Sequence, residues 1–424
     1  MHTVDDLKQK AEDFIHQMAD GDFAGACRLF DSNMAQALPE AKLKATWLQL
    51  VNQAGAFQEI GSGQVAERQG NRIVTVTCQF EKAAMDILVV FGTNGQIGGL
   101  NVQFAPTTLS YNPPAYVDAA AFDEVEVTVG SGKWALPGTV SMPHGAGPFP
   151  AVVMVHGSGP QDRDETIGPN RPFRDLAFGL ATRGIAVLRY DKRTKVYAEK
   201  ITPELKAKLT VQDEVIDDAL SAVQLLRQTP GIDRDSIYVL GHSLGATMAP
   251  RIGQQDPSIA GVIIMAGMTR PFEDTILDQY TYLYTLSGSM TDEQQAELEQ
   301  LKAQVARVKD PNLSDQAPAK DLPLGVPPAY WLSLRGYQPA EVARSLDMRI
   351  LALQGGRDYQ VTAADDYPAW QKALAEKSNA TLKLYPELSH EFIAGEGPAT
   401  PQEYLVEGHV SEKVIQDIAR WIRV

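Results

Sequence analysis

The chain reads as an α/β protein in two parts, a small α+β unit followed by a mostly parallel sheet flanked by helices. Three observations predict this. The pattern changes near residue 121, and beyond it short runs of Val, Ile and Leu alternate with helical spacing. The length, 424 residues, is also too great for one compact core.

Up to about residue 104, helices are followed by strands. Leu7, Ala11, Phe14, Ile15 and Met18 recur at helical spacing over 4–18, and further helices are expected over 23–30 and 43–54. The period then shortens. Ile73, Val74, Val76, Cys78 and Phe80, then 85–91, then 97–104 read as strands, with Asn94-Gly95 as the turn between the last two. Helices ahead of a curled antiparallel sheet make a small roll, expected over 1–104. Residues 105–121 contain Pro106, Pro113 and Pro114 without periodicity and read as a linker.

The second part spans 122–424. Segments 122–129 and 136–142 alternate like an antiparallel strand pair. After them come apolar runs at 151–156, 185–190, 237–241, 261–265, 349–354 and 381–385, each separated by a helical pattern. Eight strands result, most of them parallel and joined by right-handed crossovers. The interval 269–346 is far longer than a crossover needs. It contains a helix over 291–309, capped by Thr291 and stopped by Pro311, with Tyr280, Tyr282, Tyr284, Tyr330, Trp331 and Tyr337 around it. A helical cap over the C-terminal edge of the sheet is expected there.

The sharpest chemical signal is Gly241-His242-Ser243-Leu244-Gly245, between a strand pattern and a helical one. That is the context of a nucleophile elbow: the turn is too tight for side chains at the two glycines, and it lifts Ser243 above the sheet. The helix that follows presents its positive end to developing negative charge. A serine hydroxyl needs a base. Of seven histidines, only His390 and His409 follow Ser243, and His390 sits in the loop after the last strand, so it is the expected base. Gly355-Gly356-Arg357-Asp358 closes the preceding strand and offers Asp358 as the orienting acid, with Asp365 or Asp366 as the alternative. For the oxyanion, the N–H of Leu244 is one expected donor and that of Ser158, in His156-Gly157-Ser158-Gly159, the other. His156 reads as structural.

Gly157, His242, Arg163 and Arg171 are further candidates for substrate contact. Arg163 and Arg171 lie in a polar run beside the oxyanion loop, where they either meet a substrate carboxylate or lock the loop through ion pairs. Asp191-Lys192-Arg193 after the fourth strand reads as structural.

HGSGP, LRYDKR, GHSLGA, GGRD and SHEF, in that order over 122–424, resemble bacterial α/β-hydrolase carboxylesterases. The element order of 1–104 resembles the cystatin-like or SnoaL-like roll ahead of some of them. The resemblance implies a serine carboxylesterase acting on small to medium ester substrates through an acyl-enzyme, with Ser243, Asp358 and His390 as triad, Ser158 and Leu244 as oxyanion donors, and no metal or organic cofactor. The Gly157-Ser158-Gly159 loop departs from the triple-glycine form, so a preference for bulky tertiary-alcohol esters is not implied. The same triad also serves acylaminoacyl or dipeptidyl peptidases and thioesterases, and these stay open. A peptidase of this fold usually carries a β-propeller that the first part is too short to supply. Dehalogenases and epoxide hydrolases place Asp at the elbow, which Ser243 excludes.

The net charge of −15 argues against nucleic acid and anionic membrane surfaces as partners. No apolar run is long enough to span a bilayer. The polar start MHTVDDLKQK and the two cysteines point to no secretory leader and to a reducing, cytoplasmic setting. The roll is a candidate surface for pairing two chains.

Overall fold

The computed structural model of the chain describes residues 3–68, 71–81, 84–105, 111–286 and 288–424. Residues 106–110, in the expected linker, lie outside the described residues. Contacts divide the chain into two units, 1–111 with 401–407, and 112–400 with 408–424.

In the first unit, helices Val4–Ala19, Phe23–Cys27, Ser32–Ala37 and Glu40–Ala54 precede a four-stranded antiparallel meander: β1 (Phe57–Arg68), β2 (Asn71–Phe80), β3 (Ala84–Phe91) and β4 (Ile97–Phe104). Thr3 closes a capping box with Asp6 at the first helix, and Gly95 takes φ +71° in the β3–β4 turn. Leu7, Ala11, Phe14, Ile15 and Met18 are buried against Val74, Val76, Val89 and Phe91. β1 is absent from the sequence reading. Its pairing with β2 slips near Phe57 and again between Ile60 and Gly63, and such bulges erase the period-two signal.

The second unit holds an eight-stranded sheet: β5 (Phe122–Val129), β6 (Leu136–Pro143), β7 (Phe149–Val155), β8 (Ala186–Tyr190), β9 (Ile232–His242), β10 (Gly261–Met265), β11 (Arg349–Gly355) and β12 (Ala380–Tyr385). Their spatial order is β5-β6-β8-β7-β9-β10-β11-β12. β6 pairs antiparallel with both β5 and β8, and every other pairing is parallel. Each central strand is buried on both faces. Val153, Val155, Val239, Ile264 and Ile350 enter one core, while Val152, Met154, Leu240, Ile263 and Leu351 enter the other. That explains the continuous apolar runs.

From β7 the chain steps to β8 on one side and then returns to β9 on the other. In open α/β sheets, ligands bind at the carboxyl ends of strands where this reversal occurs. The interval 269–346 forms helices Phe272–Thr285, Asp292–Lys309, Pro328–Leu334 and Pro339–Ser345. They have a small core of their own, Ile276, Leu301, Val305, Val308, Leu322 and Trp331. Among the described residues, no helix is long and apolar enough to cross a membrane.

Candidate active site

At the reversal, Val155 at the end of β7 pairs with Gly241 on β9, and Met265 on β10 pairs with His242. Ser243 follows with φ +53° and ψ −116°, a conformation L-residues adopt only under strain. The turn is closed by the Ser243 N–H donating to Met265 O at 2.9 Å, and helix Leu244–Gln255 starts directly after it. A Cβ at Gly241 would lie 2.1 Å from Gly245 O, and one at Gly245 would lie 2.1 Å from Val155 O. Only glycine fits either place.

Asp358 Oδ2 is 2.7 Å from His390 Nδ1. Its Oδ1 accepts the N–H groups of Gln360 and Val361 at 2.8 and 2.9 Å, and Gln354 Nε2 donates to Oδ2 at 3.2 Å. Both members of the pair are buried. An ionised carboxylate only accepts, so His390 Nδ1 carries a proton and, in the neutral ring, Nε2 holds the lone pair. Gly355 and Gly356 let the 386–389 backbone pass over the end of β11, since Cβ atoms there would lie 2.4 and 2.6 Å from Ser389 O and Pro386 Cα. Asp366 instead receives Thr269 and Arg270, and Asp365 receives Thr362. His409 lies beside Asp175.

Next to the triad candidates is a buried ionic cluster. The His242 and His390 rings are 4.7 Å apart. His242 Nδ1 meets Glu165 Oε2 at 2.9 Å, and its Nε2 meets the His390 carbonyl at 3.0 Å. Both ring nitrogens thus face acceptors. Burial opposes the charge on His242, but Glu165 and Glu391 outweigh it and hold its pKa up at about 10. Burial works against Glu165, yet His242 keeps its carboxyl below the ordinary range. Burial drives Glu391 upward. His156 is buried too, which pulls its pKa down to about 4. His242, His390 and Glu391 are close enough to gather round a cation. Three of the four ring nitrogens, however, already face Glu165, Asp358 or a carbonyl, so the donor set suits a charge cluster better than a metal.

Among the described residues, no hydrogen bond engages the N–H of Leu244 or of Ser158. Gly157 packs against the candidate nucleophile, where a Cβ would lie 3.2 Å from Ser243 Cβ. The Gly157 N–H donates to Glu165 Oε1 at 2.6 Å, and its carbonyl accepts from Lys192 Nζ at 2.8 Å. Gly157 and His242 therefore sit at the site, but their polar groups are occupied. Arg163 is held by Asp191 and Glu126, the loop-locking arrangement. Arg171 is half-buried and precedes helix Pro172–Ala181. Glu165 and Lys192 were not singled out as functional by sequence. The only signal was their place in the polar runs after β7 and β8.

A cavity of about 720 Å³ opens beside the elbow, lined by Leu244, Thr247, Met268, Phe272, Trp331 and Tyr337 among others. It adjoins the Leu244 side of the turn, and its lining includes neither Ser243 nor His390.

Residues 148–397 match a protein family described as serine aminopeptidase, S33, and residues 11–100 match one described as a protein of unknown function, DUF3887. Esterase EstD of Thermotoga maritima is 39% identical over 415 residues, 98% of this chain and 95% of the relative. Among solved structures, Est1E from Butyrivibrio proteoclasticus is 16% identical with a TM-score of 0.44, over 70% of this chain and 99% of that one. A Pyrobaculum calidifontis esterase is 15% identical with a TM-score of 0.45, over 71% and 85%.

Proposed function

Since the chain belongs to the α/β-hydrolase family described as serine aminopeptidase, S33, and is a carboxylic ester hydrolase, we propose that Ser243, His390 and Asp358 carry the cleavage through an acyl-enzyme. The observation that carries this reading is the 2.7 Å contact between His390 Nδ1 and Asp358, in the loop that also touches the residue before Ser243.

Ser243 Oγ attacks the ester carbonyl carbon while His390 Nε2 takes its proton. Asp358 holds the ring in that tautomer and stabilises the imidazolium. The oxyanion is received by the N–H groups of Leu244 and Ser158. Collapse of the intermediate expels the alcohol, which takes the proton from His390. Water then repeats the sequence on the acyl-enzyme and releases the acid, regenerating Ser243. The cavity next to Leu244 is the proposed room for the acyl or alcohol group. Its mixture of Met268, Phe272 and Trp331 with Thr247 and Tyr337 suits a small ester of moderate polarity.

The family's description as a serine aminopeptidase favours a second reading, a peptidase, of which the acylaminoacyl and dipeptidyl kinds are the candidates, and a thioesterase would use the same groups. The first unit offers four helices and a four-stranded sheet where such peptidases carry a propeller. Turnover of matched ester, anilide and thioester substrates separates the three, and the ester is expected to give the highest kcat/KM. A Ser243→Ala protein hydrolysing p-nitrophenyl esters at the wild-type rate, still refusing a fluorophosphonate label, removes the reading altogether. A reducing, cytoplasmic setting fits the unpaired Cys27 and Cys78. Pairing of chains through the first unit is checked by sedimentation of the intact protein.

A further inference from the structure

Lys192 follows β8 and is 2% exposed, which is rare for a strongly hydrated ammonium. A bland account makes it the counterion of Glu214, whose Oε1 lies 3.4 Å away. The distances rank the partners differently. The Gly157 carbonyl is nearer, at 2.8 Å, and Glu214 is itself shared with Thr194 at 3.0 Å and with the hydroxyl of Tyr330 at 2.7 Å. The ammonium leans on the carbonyl, and Glu214 with Tyr330 backs it from behind.

That carbonyl is half of one peptide plane, and the other half is the Ser158 N–H. In a planar trans peptide the C=O and N–H point in opposite directions, so a side chain that grips the oxygen fixes the line along which the N–H leaves. A cation on the oxygen also draws electron density from the amide nitrogen and makes its N–H a stronger donor. The peptide plane before it is pinned as well, by the Glu165 carboxylate on the Gly157 N–H, so this plane has little freedom to rotate. Its free end is the Ser158 N–H, which no described residue engages.

We propose that Lys192 is a positioning residue that aims and polarises the Ser158 N–H as an oxyanion donor, with Glu214 and Tyr330 holding it in place. This rests on the reading of Ser158 and Leu244 as the two donors. Removing one donor outright costs on the order of 100- to 1000-fold in rate, and a donor left in place but loosely aimed should cost less, about 10- to 100-fold.

The test is Lys192→Met, measured on a p-nitrophenyl ester for kcat and KM separately, alongside the affinity for a boronic acid that mimics the tetrahedral intermediate. The expected result is a fall in kcat of about 10- to 100-fold with KM nearly unchanged, and boronate affinity falling by the same factor as kcat/KM. If Lys192→Met does not fold, Lys192→Met/Glu214→Gln removes both buried charges together and is read in the same way. A folded variant of either kind with wild-type kcat and boronate affinity overturns the proposal, as does a loss confined to KM. Ser243→Ala is run beside them. Its inactivity shows that the esterase reading survives such a result, whereas residual wild-type turnover would remove that reading instead.

Discussion

His242 donates from Nε2 to the backbone carbonyl of His390 at 3.0 Å, so the residue before the proposed nucleophile and the proposed base are fastened to each other through a ring that is not itself reactive. The other ring nitrogen faces Glu165, which also holds Gly157. One buried pair thereby joins the turn after β9, the loop after β12 and the loop after β7. The geometry of the proposed site is held by ionic contacts as well as by packing.

The first consequence is a dependence of stability on pH. The folded pKa of His242, about 10, lies above the ordinary value of 6.5. Its stabilising contribution is therefore complete below about pH 6.5 and is lost as pH rises toward 10. Glu165, shifted the other way, contributes above its ordinary range and loses its share in acid. Thermal midpoints recorded from pH 6 to pH 10 should fall in the wild type and fall less steeply in His242→Gln. Equal slopes in the two proteins would detach the cluster from stability.

Asp358→Asn keeps the shape of the acid but replaces an acceptor with an amide that favours the wrong ring tautomer. The kcat on p-nitrophenyl esters should drop by about 10,000-fold with little change in KM. Circular dichroism should show an unchanged fold.

Asp366 offers a sharp contrast, because the sequence left it open as the acid. It is fully buried and takes the Thr269 N–H and hydroxyl and the Arg270 guanidinium where the segment 269–346 leaves β10. Its expected role is anchorage. Asp366→Ala should destabilise the protein by about 3–5 kcal/mol, as breaking a buried pair does. In Asp366→Asn, which retains a hydrogen-bonding side chain, kcat should stay within about tenfold of wild type. A loss as large as that of Asp358→Asn would reassign the acid.

Gly245→Ala tests the elbow itself. The new methyl would sit 2.1 Å from Val155 O and 2.6 Å from His156 O, both backbone atoms that cannot rotate away. The cost should exceed the 1–3 kcal/mol of ordinary overpacking, about 4 kcal/mol or more, read as a collapse of soluble expression or of Tm.

These residues also mark how far the sequence could be read. The proposed triad, Ser243, Asp358 and His390, stands out in the sequence because each candidate is tied to local backbone form: an elbow between glycines, a Gly-Gly turn, a loop after the last strand. The central strands were legible because burial on both faces leaves unbroken apolar runs. β1 was hidden because two slips in its pairing with β2 break the alternation. Glu165 and Lys192 were hidden for another reason. Each lies in a polar run indistinguishable from a solvated loop, and its partners are either distant side chains, His242 77 positions from Glu165 and Glu214 22 positions from Lys192, or backbone atoms that carry no sequence signature, as with the Lys192 contact to Gly157 across 35 residues. Nothing in a linear pattern announces a buried charge whose partner arrives from another element of the fold.

The cavity beside Leu244 leads to a test of specificity. Leu334, from helix Pro328–Leu334, lines it and is half-buried, so a larger side chain there can turn into the open volume of about 720 Å³ without displacing the sheet. If this space receives the acyl group, Leu334→Trp should leave the kcat/KM for an acetate ester within about twofold. For a long-chain ester the same change should lower kcat/KM by about 10- to 100-fold, since a few displaced methylenes carry roughly 1–3 kcal/mol of pocket discrimination. If the space receives the alcohol instead, the loss follows the size of the leaving group and not the acyl length. A series in which acyl and alcohol are varied separately distinguishes the two. An effect independent of both would show that substrate does not use this cavity.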